Sequence, residues 1–142
     1  MLSSRRQGRE AALQTLYLID LCRLDLKDLP EAVWSDEALS PKTREFAGHL
    51  AAGVVARWAK IDKLLGQYAR NWELSRMAAV DRCILRLATG ELLMDLETPV
   101  NVIINEAVEI AKKYSTAESS KFVNGILDKI KVERHDDATP HG

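Results

Sequence analysis

Pro99-Val100-Asn101-Val102-Ile103-Ile104-Asn105-Glu106-Ala107-Val108-Glu109-Ile110-Ala111-Lys112-Lys113-Tyr114 is the run whose periodicity decides the fold. At the rotation of an α-helix, Val100, Ile103, Ile104, Ala107, Val108, Ile110, Ala111 and Tyr114 share one broad face, while Asn105, Glu109, Lys112 and Lys113 lie opposite. Pro99 occupies a first-turn position, where its missing N–H costs nothing and its fixed φ suits the helix. Such a face is stable only when covered, so the run requires helical neighbours.

Those neighbours lie on both sides. Downstream, Phe122, Val123, Ile126, Leu127 and Ile130 form a second apolar face on a helix begun by Ser115 and Thr116, with Glu118 in its first turn and an end near Lys131 or Val132. Upstream, Met77, Val80, Ile84, Leu87 and Ala88 form a third face on a helix from Arg76 to Asp95, capped by Ser75. At the amino end, Ser3 or Ser4 caps a helix running to about Arg23. Pro30 and Pro41 break the segment that follows, and a long helical stretch from Lys42 to about Asn71 is interrupted near Ala59 or Gly66. Gly125 inside a helix costs about 1 kcal/mol against Ala and predicts a close helix–helix approach there. The expectation is an all-α bundle of about six to seven helices in two packed subdomains, forming one domain over residues 1–135. Residues from Glu133 onward read as polar and mobile, and 136–142 as a tail.

Composition narrows the function. The 142 residues carry 46% apolar and 29% charged side chains, and 20 basic against 21 acidic residues leave a net charge of −1. A nucleic-acid site must therefore come from local clustering, not from the whole surface. No stretch approaches the roughly 20 apolar residues of a membrane span. The start, Arg5-Arg6-Gln7-Gly8-Arg9-Glu10, lacks the apolar core of a signal peptide, so the cytoplasm is expected. Cys22 and Cys83 read as two buried thiols, and His49, His135 and His141 have no spacing that would fix a metal. Neither a phosphate loop nor a Cys-x-x-Cys pair occurs, and no cofactor is expected.

Two carboxylates, Asp81 and Glu91, project towards the apolar side of their helix, where each must find an arginine or a helix end. For Asp81 a contact with a partner is an equal reading. Glu106 suits an unpaired donor within the bundle, and Asn105 and Asn124 suit bridges between helix ends. The first helix is richer in binding chemistry. Arg5, Arg6 and Arg9 precede any acidic residue, and Arg6, Glu10, Gln14 and Tyr17 fall within about 80° of one another. Guanidinium for phosphate, amide for a base edge and phenol for stacking suit single-stranded RNA, although residue types alone favour a solvated basic helix start with Tyr17 half in the core. Three arginines release only about two counterions on a single strand, so this charge pattern calls for a co-binder.

The run from Pro99 to Lys112, the motif Phe122-Val123-Asn124-Gly125-Ile126-Leu127-Asp128, the segment Ile84 to Leu92 and the opening Arg9-Glu10-Ala11-Ala12-Leu13-Gln14-Thr15-Leu16-Tyr17 together resemble the NusB family. The resemblance covers about residues 5–131, apart from the 24–45 region. It implies an all-α fold of two helical subdomains and a non-enzymatic factor of transcription antitermination. Such a factor binds boxA-type single-stranded RNA in ribosomal transcripts together with NusE, a small-subunit ribosomal protein, and joins other Nus factors on RNA polymerase. It places Arg5, Arg6, Arg9, Gln14, Tyr17, Lys121 and Phe122 at RNA, and Asp81, Glu118 and Phe122 at the protein partner. Gln7-Gly8 departs from the family's basic run and predicts a looser arm with weak stand-alone affinity. Homodimer and monomer both stay open. A related helical domain is fused to ribosomal RNA cytosine methyltransferases, but no cofactor-binding sheet follows here. A helical DNA-binding regulator would need a basic recognition helix that this pattern lacks.

Overall fold

Hydroxyl side chains set three of the helix starts. In the computed structural model, which describes residues 3–23, 25, 39–69 and 74–138, the Ser3 hydroxyl accepts from the Arg6 N–H at 3.0 Å and begins α1 (Ser4–Cys22). Ser40 does the same for Thr43 at 3.1 Å, with Pro41 opening α2 (Pro41–Ala56). Thr116 accepts from the Ser119 N–H at 2.9 Å at the start of α6 (Ala117–Ala138). Each bond satisfies a donor that the helix itself leaves unpaired. Between them lie α3 (Trp58–Tyr68), α4 (Ala79–Met94) and α5 (Val100–Tyr114), and no strand occurs among the described residues.

Several boundaries differ from expectation for identifiable reasons. Ser75 sits in a 3₁₀ turn, Leu74–Arg76, and α4 begins only at Ala79. The Arg82 guanidinium reaches back to the carbonyls of Leu74 and Met77, at 2.9 and 3.1 Å, and holds that turn apart from the helix. Pro99 is the N-cap of α5 rather than a first-turn residue. The long stretch after Pro41 divides at Arg57, ahead of Ala59 and well ahead of Gly66. The final helix continues past Val132 to Ala138. Tyr68 donates to Glu133 at 2.6 Å and Arg134 donates to the Asp95 carbonyl, so side-chain hydrogen bonds hold this helix at residues 133 and 134. Pro30 and most of the 24–38 segment lie outside the described residues, as do 139–142.

Helix α4 is the hub, packing against each of the other five described α-helices. Helices α1 and α2 pair closely on it, α5 and α6 pair closely on it, and α3 touches both groups. The two expected subdomains thus share α4 and one continuous core, in which Leu16, Leu65, Leu85, Leu92, Ile103 and Leu127 are among the largest sealed side chains. Among the described residues no helix is long and apolar enough to cross a membrane. Cys83 is buried, and burial pushes its thiol up to about 11, whereas Cys22 is exposed and not a core residue as expected.

The close approach expected at Gly125 occurs elsewhere. Gly125 is exposed, and a Cβ there would meet nothing within 4 Å. At Gly90, a Cβ would fall 2.6 Å from Cγ2 of Val54 and 3.3 Å from Cδ1 of Ile61, so this glycine lets α2 and α3 reach the hub. Gly8, expected to loosen the amino end, lies buried inside α1 with Phe46 against it. Because Val54 is branched at Cβ and stiff, Gly90→Ala should destabilise by about 1–3 kcal/mol despite its better helix propensity. Gly125→Ala should instead stabilise by about 0.5–1 kcal/mol. Urea unfolding of the two variants reads both signs.

Candidate nucleic-acid interface

Helix α1 carries Ala12, Leu13 and Leu16 into the core, and Arg9 points inward with them. Arg9 is 4% exposed. Its Nε and Nη2 donate to the two oxygens of Glu91 on α4 at 2.8 and 2.6 Å, a fork-to-fork pair, and its Nη1 reaches Glu106 on α5 at 3.1 Å. Glu106 also accepts from Arg6, with Nε at 2.9 Å, so one carboxylate bridges two arginines. Burial works against the Arg9 charge, but Glu91 and Glu106 more than offset it and raise its pKa. The Arg6 hydrogen bond holds the Glu106 carboxyl below its usual range, against the opposing effect of burial.

One residue beyond Arg9, Glu10 is buried and accepts from Nζ of Lys113 at 2.8 Å and from the Tyr114 hydroxyl at 2.5 Å. These bonds pin the end of α5 to α1. Beyond them Gln14 and Tyr17 are exposed, and with Leu13, Leu18, Val80 and Tyr114 they line a cleft of about 480 Å³. Arg5 is exposed, its guanidinium lying 4.3 Å from the centre of the Phe46 ring, and no carboxylate among the described residues pairs with it. At the inner end of α1, Asp20 receives Arg82 and Arg86 at 2.5 and 3.2 Å, and Arg86 forks onto Asp62 of α3 while stacking on Trp58. Those two arginines hold Asp20 below the usual carboxylate range although burial opposes them.

At the start of α6, Glu118 and Lys121 are exposed and Phe122 is half-buried against the core. Asp81 is buried and accepts from the Ser119 hydroxyl at 2.9 Å, so it serves the α4–α6 junction. Lys121 lines a groove between α5 and α6 with Lys112 and Lys131, and Asn101, Asn105 and Asn124 lie along it, with Asn105 and Asn124 exposed rather than bridging helix ends.

A family model described as the NusB family matches residues 6–132. The chain belongs to the NusB family. It is 45% identical over 135 residues to the transcription antitermination protein NusB of Elusimicrobium minutum, covering 94% of this chain and 96% of that one. With the NusB of Geotalea uraniireducens it shares 47% identity over 137 residues, covering 91% and 94%. Among solved structures, NusB of T. maritima superposes with a TM-score of 0.84 at 39% identity, over 96% of this chain and 99% of that one. A NusB present in a complex of antitermination factors NusB and NusE with double-stranded RNA superposes with a TM-score of 0.83 at 26% identity, over 94% and 99%.

Within this NusB-family fold the candidate residues separate. Arg5, Gln14 and Tyr17 are exposed on α1, Arg6 is partly exposed, and Glu118, Lys121 and Phe122 gather at the start of α6. Arg9 is buried in its pair with Glu91 and Glu106, and Asp81 is buried with one oxygen held by Ser119 and the other without a partner among the described residues. Sequence reading overlooked Lys113 and Tyr114 beside Gln14, because their partner Glu10 stands more than a hundred positions away.

A buried charge left alone is costly, so Glu91→Leu should lower stability by about 3–5 kcal/mol, and adding Arg9→Met should recover much of the loss. Urea unfolding of the single and double variants measures this. The depressed carboxyls of Glu106 and Asp20 contribute fully above their ordinary values of 4.5 and 3.8, and the contribution disappears as pH falls through their lower folded values. Melting temperature should therefore fall steeply below about pH 4.5, and less steeply in Glu106→Gln.

Proposed function

We propose that this chain is a non-enzymatic adapter of transcription antitermination that binds single-stranded boxA-type RNA together with NusE. The complex joins other Nus factors on RNA polymerase. The observation that carries this reading is the exposed face of α1, where Arg6, Gln14 and Tyr17 offer cation, amide and phenol along one side of the helix, with Arg5 exposed further round its first turn. Phosphate needs the first, a base edge the second and a base plane the third. Lys121 and Phe122 extend the RNA side, and Glu118 with Phe122 serves the protein partner.

Charge supports a two-protein binder. With Arg9 inside and Arg6 shared with Glu106, the amino end presents less free cation than its sequence contains. Each phosphate neutralised on a single strand contributes a salt slope of only about 0.7. NusE must then supply further contacts or order the strand. The names of the relatives favour the same reading, since the NusB in the RNA-bound structure is accompanied by NusE. That complex holds duplex RNA, so strand preference is one of the quantities to measure.

Fluorescence titration with a boxA-type single strand should show affinity that rises when NusE is added. Equal affinity with and without NusE, or preference for a duplex of the same sequence, argues against the adapter. Arg5→Ala should flatten the dependence of log affinity on log salt by about 0.7 without changing helicity. Tyr17→Ala should cost about 1–3 kcal/mol of RNA binding and leave NusE binding intact, whereas Tyr17→Phe retains most of it.

A further inference from the structure

Helices α5 and α6 pair closely, yet their outer seam stays open as a groove of about 850 Å³. Its floor is aliphatic: Val100, Ile104 and Val108 form one ridge of α5, and Ala117 stands at the start of α6. Lys112, Lys121 and Lys131 flank that floor, and Asp128 is the one acidic residue of the lining. Lys112 and Lys131 each hold an exposed carboxylate three positions away, at 3.3 and 2.7 Å, pairs weak enough to yield to a better partner. Glu106 marks the side of α5 that meets α1, through Arg6 and Arg9. Helix geometry sets the aliphatic ridge about 120–160° around from it, so the groove opens away from the α1 face. We propose that this groove is the docking site for an acidic amphipathic helix of a protein partner. The inference goes beyond the adapter reading and does not rest on it.

The occupant follows from what the groove offers and what it lacks. No aromatic ring lines it among the described residues, so an unstacked base finds no surface to stack on. Aliphatic side chains spaced along one helix face do find a floor, in Val100, Ile104 and Val108. Lysines beside that floor match carboxylates beside an apolar stripe. The length fits as well. Residues 100 to 112 of α5 span about 18 Å, the rise of about twelve helical residues. The sequence adds an independent sign. Asn101, Asn105 and Asn124 line the groove and are exposed, and their side-chain amides have no hydrogen-bond partner among the described residues. Gly125, next to Asn124, is exposed and would leave even an added Cβ without a neighbour. Asparagine and glycine are poor helix formers, and these four make no contact within the chain that offsets the loss. Amides along the rim can instead donate to and accept from a partner's polar side chains.

The test uses the full chain and a synthetic helical peptide of about twelve residues, with leucines at every third or fourth position and glutamates on both sides of them. Amide chemical shifts should move along residues 100–112 and 117–131. The peptide should bind about tenfold more tightly than a scrambled peptide of the same composition, or than one with lysines in place of the glutamates. Asn101→Glu puts a like charge into the groove at the first turn of α5, where a carboxylate suits the helix. The fold is therefore kept while affinity falls about fivefold. Asn105→Ala and Asn124→Ala should each melt at a higher temperature yet bind the peptide more weakly, an opposition that a purely structural role does not produce. Equal binding of the scrambled peptide, shifts on α1 instead, or no binding at about 1 mM peptide overturns the proposal. Displacement of the peptide by a single-stranded oligouridylate makes the groove a nucleic-acid surface and overturns it too. So does a concentration-dependent dimer that is lost in Asn101→Glu, since a second copy then covers this face.

Discussion

The buried fork between Arg9 and Glu91, with Glu106 closing it from α5, is the constraint on which the rest of the molecule turns. A guanidinium inside a low-dielectric core is tolerable only with its carboxylates in place, so α1 cannot rotate or slide without stranding a charge. This fixes which side of α1 faces outward. Gln14 stands about 140° around the helix from Arg9, and Tyr17 about 80°. Seating Arg9 therefore presents the amide squarely to solvent and leaves the phenol at the margin. A second anchor, Asp20 with Arg82 and Arg86, repeats the arrangement about three turns along α1 with the charges reversed.

The same economy explains why the amino end is a weaker electrostatic feature than its composition implies. Of its three arginines, one holds the fold together, one is shared with Glu106 and one lies over Phe46. Nearly neutral proteins that recognise nucleic acid must rely on shape, stacking and partners, and the exposed face of α1 is built from groups that serve those purposes. Gly8 belongs to the same logic. It lets Phe46 press against α1, bringing the ring beneath Arg5.

Much of the architecture was legible because it is local. The 3.6-residue period of Val100 to Tyr114 predicts α5 to within one residue, and Ser3 marks the start of α1 through a hydrogen bond three positions away. Glu91 and Glu106 could be read as seeking donors because a carboxylate on an apolar face has few alternatives. The identity of the donor was not legible, since Arg9 looks like any other member of a basic run until the helix is seated. Gly125 misled for a related reason: the helix cost of glycine is local, but the benefit depends on which neighbour arrives, and at Gly90 it is Val54. The start of α4 and the end of α6 differed where Arg82, Tyr68 and Arg134 make contacts that no periodicity records.

The sequence separation of the α1 contacts has a consequence for synthesis. Arg9 meets Glu91 across 82 positions and Glu106 across 97, while Glu10 meets Tyr114 across 104. A ribosome adding about 5–20 residues per second needs roughly 5–20 s to bring those partners into existence after α1 has been made. Throughout that interval α1 has no carboxylate from α4 or α5 against Arg9, and of its two main packing partners, α2 and α4, only α2 is available. The nascent helix then carries an Arg9 guanidinium without its carboxylates, and the protein can acquire its final amino-terminal face only when translation is nearly complete.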